Sequence, residues 1–338
     1  MTTGTAEGGW RARLRSAAPV LRILVSAVML FVLLRRVPLG RLFPEWDAHA
    51  VVDLAAAVAV TLVGVVLSAL RWQRVLVALE APESLRRLAS HSFAGLFVSN
   101  FLPSTIGGDV LRVSRLTTSI GSGPTAFASV VLERLSGWIV LPVITLTGLI
   151  VNPGLRELGA SSAVALAVAV ATLLLLVVVL LSAASPRIGG RLGHSEGWRR
   201  FIEAVHLGLV RFRQHPGAVA DVLLAGFVYQ LTVVLAAFFA SLALGMDETV
   251  GWTAMLAFMP AVAIVQVLPV TIGGLGVREG AFVLFLGPLG ISTSQAIALG
   301  VLIYGINLVA SLAGAPAFAA GGRGRRRRSS SSEDRVAA

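Results

Sequence analysis

The stretch Leu102-Pro103-Ser104-Thr105-Ile106-Gly107-Gly108 returns 166 positions later as Leu268-Pro269-Val270-Thr271-Ile272-Gly273-Gly274. The same offset pairs Asn100 with Gln266 upstream and Arg112 with Arg278 downstream. Proline lacks an N–H and glycine is a poor helix former, so each phrase interrupts a helix inside otherwise apolar sequence. Matching interruptions in two halves of an apolar chain point to the binding site of a transporter built from internal repeats.

The surrounding composition sets the class. Of 338 residues 56% are hydrophobic and 13% charged, with a mean hydropathy of +0.85, far too apolar for an ordinary soluble domain. An all-α polytopic membrane protein is expected. There is no cysteine, which excludes disulfides, thiolate metal sites and thiol catalysis. The net charge of +11 comes from arginines, since the chain has no lysine. They sit mainly in short segments flanking apolar runs, where they set orientation, so nucleic acid is not an expected partner.

In chain order, a basic N-terminus over 1–18 precedes an apolar run from Val20 to Leu34, read as a retained first helix because no small-residue cleavage site follows it. A second span runs from about Ala50 to Leu70, with Arg71 and Arg74 marking its cytoplasmic end. The segment from His91 to Arg115 has two limbs of only about 10 residues around Pro103–Gly108, half a bilayer crossing, and reads as a re-entrant hairpin. Spans over about Thr125–Val151 and Ser161–Ala184 follow, the latter almost wholly Ala, Val and Leu and therefore expected to face lipid. Residues 185–217 form a basic cytoplasmic loop. The second half then replays the first: a span over Ala218–Leu244, a hairpin over Trp252–Gly280 and a last span over Thr293–Ala317.

This gives six full crossings and two half-crossings in an inverted repeat, with halves at about 50–151 and 216–317 inside a membrane domain over 19–320. A disordered basic tail covers 321–338, and both termini lie in the cytoplasm. The loop 35–49, with Arg35, Arg36 and Arg41, falls outside on this count and opposes the charge rule.

The candidate substrate-binding set is Asn100, Pro103, Thr105, Gly107, Gly108, Asp109 and Arg112 on the first hairpin. Gln266, Pro269, Thr271, Gly273, Gly274, Arg278 and Glu279 complete it on the second. Unwound hairpin tips present free N–H groups and positive helix ends, which suit anions. Arg112 and Arg278 lie one turn beyond the glycine pairs and can grip phosphate or carboxylate with two donors. Asp109 and Glu279 can hold these arginines when no ligand is present. Glu133 and Arg134 are a candidate intramembrane charge pair, serving either packing or ligand and proton chemistry. His91 reads as a solvated interfacial histidine, with a proton relay as the alternative. The bland reading of the Pro and Gly positions is a kink or a close helix contact, and Gly276 and Gly280 have GxxxG spacing. Gly273-Gly274-Leu275-Gly276 lacks dinucleotide-loop spacing, and without lysine there is no Walker A loop. No catalysis, cofactor or metal is expected.

Ser99-Asn100-Phe101-Leu102-Pro103 leading to Gly107-Gly108-Asp109 and Arg112, with Leu268-Pro269 leading to Gly273-Gly274-Leu275-Gly276-Val277-Arg278-Glu279-Gly280, resembles the lysylphosphatidylglycerol synthase transmembrane-region, or flippase-like, family over about residues 20–320. The resemblance implies movement of aminoacylated phospholipid or other lipid-linked head groups between leaflets. It assigns the head-group role to Pro103, Gly107, Gly108, Asp109, Arg112, Pro269, Gly273, Gly274, Arg278 and Glu279. The soluble aminoacyltransferase half of some members is not expected here. Three readings follow: a lipid flippase or facilitator in the plasma membrane, acting on an anionic phospholipid or a polyprenyl-phosphate-linked lipid; a non-transporting subunit presenting a lipid-linked intermediate to a separate transferase; and a proton-coupled anion transporter using Asp109 or Glu133.

Overall fold

The computed structural model describes residues 47–101, 107–184, 198–214, 216–267 and 274–320, and among them every regular element is helical. The expected first span over Val20–Leu34 and the tail over 321–338 lie outside the described residues. In chain order the helices are α1 (Ala48–Ala78), α2 (Leu85–Phe101), α3 (Gly107–Ile120), α4 (Gly123–Val151), α5 (Ala160–Ala184), α6 (Trp198–Gln214), α7 (Pro216–Ala243), α8 (Trp252–Val265), α9 (Val277–Leu286) and α10 (Thr293–Leu312). Five of them, α1, α4, α5, α7 and α10, are long and apolar enough to cross a membrane. The chain is an all-α polytopic membrane protein.

Local sequence explains the helix starts. The Asp47 carboxylate accepts the Ala50 N–H at 2.7 Å and caps α1. Ser122 caps α4 ahead of Pro124, and Ser292 and Gln295 cap α10 reciprocally. α5 carries almost nothing but Ala, Val and Leu, and Leu174, Val178 and Leu181 on it are well exposed, as a lipid-facing helix requires.

α1 lies along α7, while α4 and α10 are the most buried of the long helices. α2 and α3 run against each other as one hairpin, α8 and α9 as another. The first limb of the second hairpin, α8, packs on α4, while α10 packs on the first limb of the first hairpin, α2. Two glycines at the repeat offset lie at close backbone contacts beside these packings, Gly148 within α4 and Gly314 two residues past the end of α10. A Cβ at Gly148 would stand 2.5 Å from the Ala257 backbone N, and one at Gly314 would stand 2.1 Å from the Phe93 carbonyl O. Both contacts are backbone to backbone, so any side chain would force the helices apart.

Three expectations are corrected. α1 runs eight residues beyond Leu70, so Arg71 and Arg74 belong to the helix, and Arg71 is buried rather than at a wet end. The segment 185–217 is not only a loop: α6 lies within it, burying Ile202, Ala204 and Val205 in a cluster with Ala128, Leu132 and Ala183 of α4 and α5. The hairpin limbs are also longer than 10 residues in three cases of four, with 17 in α2, 14 in α3 and 14 in α8; only α9 has 10.

Candidate functional site

Described residues of both hairpins line one cavity of about 730 Å³. Its polar lining residues are Ser99, Asn100 and Asp109 from the first hairpin, Gln266 and Arg278 from the second, Arg134 from α4, and Tyr304 and Asn307 from α10. The rest of the lining is apolar, with Leu96 and Val267 next to the polar hairpin residues, Val131 and Leu135 next to Arg134, and Leu175 and Phe201 on α5 and α6. Asn100 and Gln266 both reach it, as their shared offset suggests. So do Trp138 and Tyr304, which occupy matching places in α4 and α10. A smaller space of about 220 Å³ lies between α1, α7, α8 and α10 and shares Leu96, Gln266, Arg278 and Asn307 with the first. Those four residues form the partition between the two.

On the first hairpin the charges are linked in a chain. Arg134 donates to both Asp109 oxygens, Nε to Oδ2 and Nη2 to Oδ1, each at 3.0 Å. Arg112 Nη1 donates to Asp109 Oδ1 at 3.2 Å and to Glu133 Oε2 at 3.3 Å. Arg71 Nη2 donates to Glu133 Oε1, which also accepts from Ser68 Oγ at 3.2 Å. The Arg112 guanidinium lies over the Trp72 ring, 4.1 Å from its centroid. Arg71 lies 4.8 Å from the Tyr229 ring centroid. Such stacking suits a guanidinium, which has a weakly hydrated planar face. A Cβ at Gly137 would come within 2.9 Å of Arg71 Nη1, so that glycine makes the space for Arg71.

On the second hairpin the arrangement is self-contained. Arg278 Nη2 donates to Glu279 Oε1 at 2.6 Å, and the other oxygen, Oε2, accepts the Gly276 N–H at 2.5 Å, closing the start of α9. Gly274 and Gly276 have φ of +73° and +85°, a backbone conformation that side-chain-bearing residues adopt only at a cost. Gly300 of α10 leaves room for Glu279, since a Cβ there would lie 2.8 Å from Glu279 Cγ. Gly300 stands where the first repeat has Arg134.

The expected site residues therefore divide. Asn100, Asp109, Gln266 and Arg278 line the cavity, and Arg112 and Glu279 sit behind it holding cavity residues. Gly108 serves helix contact: a Cβ there would meet the Gly95 carbonyl O at 2.3 Å, so the glycine lets α2 and α3 touch. Gly107 begins α3 and Gly274 supplies a turn. Pro103, Thr105, Pro269, Thr271 and Gly273 lie outside the described residues.

Glu133 and Arg134 do not pair with each other. Successive helix positions point about 100° apart, so Glu133 is buried among arginines while the Arg134 side chain, 54% exposed, turns to Asp109 and the cavity. His91 is not solvated, because neither ring nitrogen meets solvent or a hydrogen-bond partner. Nothing lies within 4 Å of a Cβ built at Gly280, so the GxxxG spacing makes no close contact there. Arg71 went unnoticed because a charge at the end of an apolar run resembles an orienting charge. Trp138 and Tyr304 were readable by carrying the offset further along.

Five helices long and apolar enough to cross a membrane, three of them lining a cavity with charged and amide groups, define an integral membrane protein. The chain belongs to the family of the lysylphosphatidylglycerol synthase TM region, whose model matches residues 20–314. That membership makes it a multi-pass membrane domain related to lipid handling. No curated protein matches its sequence.

Proposed function

We propose that the protein is a lipid flippase or facilitator, which carries a phosphate-bearing head group through the bundle while the tails stay in lipid. The observation that carries this reading is a cavity lined both by guanidinium, amide and hydroxyl groups and by aliphatic and aromatic side chains. An amphiphile presents the same two chemistries. Desolvating a phosphate in hydrocarbon is prohibitive unless fixed donors replace its water, and Arg134, Arg278, Gln266 and Tyr304 are such donors.

In this reading the two halves form an inverted repeat whose hairpins are re-entrant and meet near the midplane, and the support is the sequence repeat at an offset of 166. The paired Gly148 and Gly314 contacts and the paired Trp138 and Tyr304 suit two halves that rock about one site. The partition of Leu96, Gln266, Arg278 and Asn307 between the two cavities is the natural barrier for the head group to pass.

The test is translocation of a head-group-labelled phospholipid in proteoliposomes, read by dithionite bleaching of the outer leaflet, with lipids co-purifying in mild detergent identified by mass spectrometry. Wild type should expose inner-leaflet label faster than protein-free vesicles, and an Arg112→Ala/Arg278→Ala variant should not. Undiminished translocation in that variant would sink the roles of both arginines. A protein-free rate in wild type that still enriches one lipid would favour the presenting-subunit reading, and a protein-free rate with no selectively enriched lipid would favour the anion-transporter reading.

A further inference from the structure

Among the described residues, the chain of charges behind the first hairpin does not balance. It contains three guanidinium groups, Arg71, Arg112 and Arg134, and two carboxylates, Asp109 and Glu133. One positive charge is in excess. The donors report the same surplus: Nε and Nη1 of Arg71 and Nε and Nη2 of Arg112 are buried without a hydrogen-bond partner. At the second hairpin Arg278 and Glu279 balance one for one, and the carboxylate is fully enclosed. The cavity thus has one cationic side and one neutral side. The cationic side ends in Arg134 and Asp109, the members of the chain that line the cavity.

We infer that the cavity selects a net anionic phosphate group at its Arg134–Asp109 end and rejects a net cationic head group such as a lysyl ester of the same phospholipid. This inference rests on the cavity being the head-group site. The selecting charge is the surplus of the whole chain, of which Arg71, Arg112 and Glu133 do not line the cavity and act as positioning residues. An arriving phosphate takes the two Arg134 donors now held by Asp109, and the released Asp109 stays paired with Arg112. The buried surplus then has its counter-charge. A cationic head group finds the opposite, because unscreened like charges in a low-dielectric site repel strongly.

The prediction has a sign that a merely structural ion pair lacks. The full chain, purified in detergent, is titrated with phosphatidylglycerol, lysyl-phosphatidylglycerol and inorganic phosphate, and tryptophan emission is read, since Arg112 lies against Trp72. Wild type should bind phosphatidylglycerol at least about tenfold more tightly than its lysyl ester, the scale expected of one charge in a partly dry site. Arg71→Gln removes the surplus and should weaken phosphatidylglycerol binding about tenfold, whereas Arg71→Lys keeps the charge and should hold it within about threefold. Glu133→Gln enlarges the surplus and should tighten binding several-fold. Asp109→Asn makes the same change of charge and replaces that arm if Glu133→Gln does not fold. Glu83→Gln/Arg87→Gln removes a balanced pair that does not line the cavity and should change affinity less than about threefold.

Equal affinity for the lysyl ester overturns the inference, and so does weaker binding by folded Glu133→Gln or Asp109→Asn. Inorganic phosphate binding with the same order of variants, without phosphatidylglycerol binding, upholds the anion site and refutes the lipid reading instead. Phosphatidylglycerol translocation that needs Arg112 yet ignores the charge variants does the reverse.

Discussion

Arg112 and Arg278 occupy the same position in matching stretches, yet they are neutralised by different means. Arg112 shares Asp109 with Arg134 and Glu133 with Arg71, so its partners come from its own limb and from a neighbouring span. Arg278 is satisfied by the next residue in the chain. The difference tracks the surroundings. The second hairpin sits in the main apolar core, where Phe258 and Phe285 stack at 5.4 Å beside Met255 and Phe282. A charge there must arrive already paired, because an unpaired one cannot be solvated. The first hairpin has a smaller core of Trp72, Leu76, Leu88 and Leu116, and its Asp109 and Arg134 open towards the cavity. It can hold charges in reserve. Two copies of one motif are neutralised in two ways, one inside an apolar core and one beside a cavity.

That contrast is broken most directly at Glu279. Glu279→Gln leaves Arg278 buried without a counter-charge and weakens the hold on the Gly276 N–H, so it should destabilise by about 3–5 kcal/mol. Thermal unfolding in detergent measures it, and a loss below about 1 kcal/mol would mean that Arg278 has another partner on opening. The close glycine contacts beside the two hairpins come next. Gly148→Ala should cost about 1–3 kcal/mol through overpacking, and Gly314→Ala a similar amount if the two halves are equivalent. A large effect at only one of them would confine the repeat to sequence.

Much of this was legible beforehand. The expected spans Thr125–Val151, Ser161–Ala184 and Ala218–Leu244 match α4, α5 and α7 to within two residues, because membrane helices need continuous hydrophobicity and little else competes with that signal. The 166-residue offset paired Asn100 with Gln266 and Arg112 with Arg278, residues that the fold brings to or beside one cavity. The sequence is silent on where Arg71 goes, since its partner Glu133 is 62 positions away and only packing brings them together. The swap of Arg134 for Gly300 is equally hidden, because it shows its meaning only beside Glu279. α6 was read as loop for want of apolar length, although its apolar residues recur at helical spacing.

Gly274 sharpens the same contrast at a smaller scale. Its φ of +73° is a demand of the backbone, whereas Gly108 in the first hairpin is helical and demands space. Gly274→Ala should cost about 1–2 kcal/mol from conformation, with unfolding again the readout. Gly108→Ala meets the Gly95 carbonyl and should open the α2–α3 hairpin, so its harm should be relieved if α2 can move away. Chemical labelling of a cysteine placed at Ser99 would report that opening as faster reaction.

The smallest expected change in stability is at Asp109, and it is the most informative beside Glu279. Both are acids one turn or less from the repeated arginine, and both are paired. Asp109, however, is 21% exposed in its side chain and its partner Arg134 is 54% exposed, so the pair exchanges its hydrogen bonds with water at little cost. Arg112 keeps Glu133 when Asp109 is lost. Asp109→Asn should therefore shift stability by less than about 1 kcal/mol, several-fold less than Glu279→Gln. If the two variants destabilise equally, the first hairpin is as rigid as the second and its charges are not in reserve. If Asp109→Asn is nearly silent in unfolding but changes how the protein takes up an anion, then one copy of the motif has been kept for holding the bundle and the other freed for the ligand.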